Sequence, residues 1–98
     1  MIRYVLSPAA QDDLEQIWDY TSERWSHDQA EKYVREIQRA IELVVDNPLI
    51  GRPCDEVRAG YRRHAVRSHT LYYRIASSGL IHVVRVLHQR MDVDRHLD

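Results

Sequence analysis

Thr70-Leu71-Tyr72-Tyr73-Arg74-Ile75-Ala76, then Ser77-Ser78-Gly79, then Leu80-Ile81-His82-Val83-Val84-Arg85-Val86-Leu87-His88 decides the fold. Two runs rich in branched and aromatic residues flank a short Ser/Gly segment, the pattern of two antiparallel strands joined by a tight turn. In the second run neither alternate set is polar throughout: Ile81, Val83, Arg85 and Leu87 interleave with His82, Val84, Val86 and His88. That pattern predicts an interior strand covered on both faces. Each run also carries an arginine, a side chain rarely buried without a partner.

Upstream, residues 62–67 form a weaker strand candidate, and residues 48–60 hold two prolines and two glycines without periodicity, so they read as a loop. Before that loop the period changes to 3.6. Ala10, Leu14, Ile17, Trp18, Thr21 and Trp25 recur at spacings of three and four, as do Ala30, Tyr33, Val34, Ile37, Ile41 and Val44. Ser7-Pro8 opens the first helix, with Asp12 and Asp13 expected to complement its dipole. Ser26-His27-Asp28-Gln29 resembles a capping box opening the second, and Asn47-Pro48 ends it. Trp18, Trp25 and Tyr33 are expected in the core. Residues 3–6 predict a first strand whose neighbour the pattern leaves open, and residues 91–97 either one helical turn or extended chain. The predicted order is β-α-α-β-β-β: an α+β fold, with a two-helix hairpin packed on one face of an antiparallel sheet.

Ninety-eight residues predict one domain, 1–98, large enough for a core without metal or disulfide staples. With 44% hydrophobic and 30% charged residues the composition is that of a globular chain. No apolar window reaches the roughly 18 residues of a membrane span, no signal-peptide pattern opens the chain, and the single cysteine, Cys54, suits a reducing compartment. The expected location is the cytoplasm.

The net charge of −1 hides an asymmetry. Residues 1–51 carry five basic and ten acidic side chains, a balance of −5, whereas residues 52–98 carry nine arginines and five acids, a balance of +4. Lys32 is the only lysine. Arginine grips carboxylates and phosphates in a two-pronged fork, so the second half predicts either internal pairing with the acidic helices or a surface for an acidic or phosphate-bearing partner. A near-neutral chain is a poor nonspecific nucleic-acid binder.

Phosphate-loop, dinucleotide and zincin motifs are absent, as are CxxC and HxxxH spacings, so no cofactor or metal is expected. His64 and His69, five apart, do not share a face of one strand. One catalytic reading survives: RNA cleavage, with His64, His69 or His88 as base or acid, Arg63, Arg74, Arg85 and Arg90 as cations, and Tyr72 or Tyr73 stacking a base.

The run Asn47-Pro48-Leu49-Ile50-Gly51-Arg52-Pro53, followed by Asp55-Glu56-Val57-Arg58-Ala59-Gly60-Tyr61-Arg62-Arg63, resembles the mid-chain signature of the ParE toxins. So do His69-Thr70-Leu71-Tyr72-Tyr73-Arg74, the closing Arg85-Val86-Leu87-His88-Gln89-Arg90-Met91-Asp92, and the opening Leu6-Ser7-Pro8-Ala9-Ala10. The resemblance covers nearly the whole chain in order. It implies the α+β fold of the ParE/RelE superfamily and the toxic half of a type II toxin–antitoxin pair. ParE toxins block DNA gyrase with its DNA cleaved, act without catalysis or cofactor, and are neutralised by a ParD-like antitoxin through which alone operator DNA is contacted. RelE relatives instead cut ribosome-bound mRNA, and His88 lies near where such an enzyme's C-terminal catalytic residue falls. The expected contact residues for gyrase, DNA or antitoxin are Arg58, Arg63, Arg74, Arg85, His88, Arg90 and Met91. For Arg85 an interior salt bridge to a helix carboxylate is an equal expectation.

Overall fold

The computed structural model describes residues 3–91. Strand β1 (Tyr4–Leu6) leads into helix α1 (Pro8–Arg24) and helix α2 (His27–Asp46). A 3-10 turn (Pro48–Ile50) and a two-residue strand β2 (Arg52–Pro53) precede β3 (Tyr61–Val66), β4 (His69–Ile75) and β5 (Ile81–His88). The five strands are ordered β1-β5-β4-β3-β2. The α+β class, the helix hairpin and the three-strand antiparallel unit agree with the sequence reading. Two features refine it. β1 runs parallel to β5, which makes the sheet mixed, and the irregular loop contributes the edge strand β2. The helical turn or extended chain expected over residues 91–97 lies, beyond Met91, outside the described residues. Among the described residues no helix is long and apolar enough to cross a membrane.

Helix starts follow their capping residues. The Ser7 hydroxyl accepts from Ala10 N–H at 2.9 Å and donates to the Val84 carbonyl at 2.6 Å, so one side chain caps α1 and ties it to the central strand. Ser26 accepts from Gln29 N–H at 3.0 Å and opens α2. Trp25, at the C-cap of α1, departs from the expectation: it is 70% exposed, because the chain leaves the helical period there and turns into α2. Trp18 and Tyr33 are half-buried.

Two clusters cover the sheet. On the helix side Ala10, Ile17, Ile37, Ile41 and Val44 pack against Val66, Leu71, Tyr73, Ile81, Val83 and Val86. On the outer side a smaller cluster joins Cys54, Tyr72 and Leu87, with Val57, Tyr61 and Val84 around it. β5 is therefore an interior strand covered on both faces, as its pattern predicts. A bulge explains why that pattern is mixed: Tyr73 pairs with Val83 but Tyr72 with Arg85, so Val84 is the extra residue and the facing phase shifts there.

The loop is pinned at Gly51, whose N–H donates to the Tyr73 hydroxyl at 2.9 Å while that hydroxyl donates to the Pro48 carbonyl at 2.6 Å. A Cβ at position 51 would lie 2.7 Å from the Tyr73 ring and 2.9 Å from the Arg63 carbonyl, so only glycine permits this approach. The β3–β4 turn lacks glycine; Arg67 takes φ 55° there, and its guanidinium grips Glu36 of α2 through two bonds of 2.5 and 3.0 Å.

Candidate functional site

The outer face of the sheet gathers most of the predicted arginines. Arg63 stands on β3 opposite Tyr72 on β4, and Arg74 on β4 lies between Tyr61 and His82. Directly paired residues share a face, so Arg52 of β2, paired with Arg63, joins the same row. Arg52 and Arg74 are exposed and Arg63 is half-buried beside the Tyr72 hydroxyl. Burial raises the Tyr72 pKa, with the Arg63 charge pulling the other way. Arg58 reaches the face from the loop, its guanidinium 6.0 Å from the Tyr61 ring centroid. Arg74 Nη2 lies 3.4 Å from His82 Nδ1. Among the described residues Arg52, Arg63 and Arg74 have no carboxylate within 4.0 Å. Like charges set directly opposite on neighbouring strands, as Arg52 and Arg63 are, disfavour the sheet. Asp55 and Glu56 sit in the loop beside Cys54; burial first, then these acids, raise the Cys54 thiol pKa, with Arg63 opposing.

Arg85 belongs elsewhere. It sits at the bulge, on the stretch of β5 edge beyond the reach of β1, and its Nε and Nη2 each donate to Asp13 at 2.8 Å. Asp13 also accepts from Val86 N–H at 3.0 Å. The buried carboxylate of α1 therefore satisfies the stretch of β5 edge that β1 leaves open and holds the guanidinium above its usual pKa range. Asp13 is thus a lock between helix and sheet rather than a dipole partner at the helix start. For Arg85 the interior salt bridge to a helix carboxylate, one of the two expectations, is present.

His88 also leaves the arginine row. It ends β5 on the helix side, where its ring stands edge-on to His69 at 5.3 Å between centroids, and its Nδ1 accepts from Arg90 N–H at 3.1 Å. Arg90 and Met91 follow in the turn after β5, both exposed. His64 pairs with Leu71 and so shares the helix-side face with His69. The two histidines lie on different strands, and the turn between them resets the parity that their five-residue spacing implied. Of the groups the nuclease reading named, the sheet separates His64, His69 and His88 from Arg63, Arg74 and Tyr72, whereas Tyr73 lies on the helix side and Arg90 follows His88.

His69 is half-buried, its Nδ1 2.6 Å from the Tyr33 hydroxyl. Burial, then the neighbouring His88, lower its pKa to about 4. The unfolded chain therefore binds the extra proton more readily than the folded one. This contribution to stability is complete above pH 6.5, falls as the pH drops from 6.5 through about 4, and amounts to at most about 3 kcal/mol. In urea titrations at stepped pH, His69→Gln is expected to flatten the acid limb relative to the parent over that window.

Arg52 and His82 are the members of the row that sequence reasoning missed. His82 was legible as the residue out of phase with Ile81 and Val83. Arg52 was not, since a two-residue strand beside proline carries no periodicity.

Known proteins share this sequence pattern and α+β fold. The family model described as the ParE toxin of type II toxin–antitoxin systems, parDE, matches residues 4–93. The chain is 63% identical over 95 residues to Toxin ParE1 of Mycobacterium tuberculosis (strain ATCC 25618 / H37Rv), covering 97% of each chain. It is 44% identical over 94 residues to Toxin ParE1 of Caulobacter vibrioides, covering 96% of each. A chain of the chromosomal ParDE TA system from P. aeruginosa superposes with a TM-score of 0.77 at 21% identity, over 90% of this chain and 96% of that one, a likeness of fold. The chain belongs to the ParE toxin family, the toxin component of type II toxin–antitoxin systems.

Proposed function

We propose that this toxin works by grip rather than by bond-making, holding DNA gyrase on cleaved DNA and so blocking replication. The observation that carries the reading is the outer-face row Arg52, Arg63 and Arg74, set in register without a carboxylate partner among the described residues. A guanidinium row offers forked donors to carboxylates or phosphates, and an external anion relieves the like-charge cost between Arg52 and Arg63. Arg58 extends the row from the loop, and Arg90 and Met91 flank the end of the sheet. A ParD-like antitoxin is the neutralising partner. Its amphipathic segment would take apolar positions left uncovered by the helix hairpin and the turn after it, where Leu43, Leu49 and Ile50 are exposed. The reading asks for no cofactor and places toxin, antitoxin and gyrase together in the cytoplasm.

Purified toxin added to gyrase and relaxed plasmid is expected to inhibit supercoiling and to accumulate cleaved DNA, and added antitoxin to reverse both. Intact supercoiling together with site-specific mRNA cuts in a translating extract would overturn the reading in favour of ribosome-dependent cleavage.

A further inference from the structure

A cleft of about 600 Å³ opens on the helix side of the sheet, between the α1–α2 junction and the β3–β4 turn. Its size is that of a small-ligand site. Three kinds of side chain converge on it. Tyr20 and Trp25, 63% and 70% exposed, present flat aromatic surface that the core leaves uncovered. Arg24 and Lys32 supply cationic charge and have no carboxylate within 4.0 Å among the described residues; the one acid lining the cleft, Glu36, is held by Arg67. His69 and His88 form the half-buried inner wall.

Helix geometry makes the convergence specific. Tyr20 and Arg24 are four residues apart on α1, so their side chains are neighbours, with Trp25 next in the chain. Lys32 and Glu36 stand in the same relation on α2. On the inner wall the Tyr33 hydroxyl and His69 Nδ1 share a hydrogen bond of 2.6 Å. Arg90 N–H occupies His88 Nδ1. With Nδ1 accepting, the Nε2 of His88 is left to donate. Arginine and lysine are donors only. The cleft therefore offers mostly donors and planar rings, and the ligand must bring oxygen acceptors, negative charge and a flat ring of its own.

We infer that the cleft binds a nucleotide unit, its phosphate monoester on Arg24 and Lys32 and its base stacked on Trp25 or Tyr20. An acidic peptide would satisfy the two cations but give the aromatic faces no planar counterpart. The site is separate from the arginine row, which lies across the sheet, so neither depends on the other.

Isothermal titration calorimetry of the whole chain with AMP, GMP, CMP and UMP tests this, beside adenosine, inorganic phosphate and a 5′-phosphorylated trinucleotide. Saturable binding of at least one mononucleotide with Kd below about 1 mM is expected, weakened at least about tenfold by Arg24→Ala and by Trp25→Ala and unchanged by Arg74→Ala. Both substituted side chains are exposed, and circular dichroism reports whether the fold is kept. Tighter binding of the trinucleotide assigns the unit to a strand end, and weaker binding to a free nucleotide; either supports the site. No saturable heat up to about 10 mM of any mononucleotide, phosphate alone binding as tightly as the nucleotides, or sensitivity to Arg74→Ala in place of Arg24→Ala would overturn it.

Discussion

Asp13→Ala is expected to destabilise the fold by about 3–5 kcal/mol, a large part of the roughly 5–15 kcal/mol available to such a domain. Asp13 is 8% exposed and serves three donors at once: Arg85 Nε, Arg85 Nη2 and Val86 N–H. Alanine strips a half-buried guanidinium of its carboxylate and leaves a buried strand-edge N–H without its acceptor. For a chain of this size the melting temperature should fall by more than about 12 °C. Replacing both partners with apolar residues, Asp13→Leu with Arg85→Met, should recover much of the loss by removing the desolvated charges, although Val86 N–H stays unsatisfied. Urea denaturation of the three proteins measures this. If Asp13→Ala unfolds at the parent midpoint with the same slope, the lock contributes nothing.

The second large effect is on target binding. Changing Arg52, Arg63 and Arg74 together to alanine is expected to weaken capture of gyrase by about a hundredfold or more, since hydrogen bonds to charged groups contribute about 1.5–3 kcal/mol each. The fold should survive, because these side chains carry no carboxylate contact among the described residues and their mutual repulsion is relieved. The parent should also lose affinity steeply with added salt, and the variant should not. Surface plasmon resonance with immobilised gyrase at two ionic strengths reads both. An unchanged dissociation constant would remove the arginine row from the interface.

The fold was largely legible, for physical reasons that can be named. Ser7-Pro8, Ser26 and Asn47-Pro48 mark helix ends through capping chemistry that acts locally, and the structure uses each of them. The strand pair around Ser77-Ser78-Gly79 is equally local, and Gly79 takes the positive φ such a turn asks for. What stayed hidden depends on partners far along the chain. The parallel seat of β1 beside β5 is set by packing over 77 residues of separation (Tyr4 against Ile81). Trp25 fits the helical period, yet it falls one residue past the last turn. The β3–β4 turn at Arg67-Ser68 falls in the gap between two predicted strands, but its anchor, Glu36 of α2, has no local signal. The candidate site was legible as a set of arginines but not as a surface. Arg63 and Arg74 were placed together by register, Arg52 was added by an edge strand without a signature, and Arg85 is paired with a carboxylate 72 positions earlier.

The most direct test is a gyrase cleavage assay comparing the parent toxin with the Arg52, Arg63 and Arg74 alanine variant at matched, folded concentrations. Linearised plasmid is expected to accumulate with the parent and to remain near background with the variant. Equal accumulation of linear DNA with both proteins would contradict the claim that the arginine face of the sheet delivers the toxic grip.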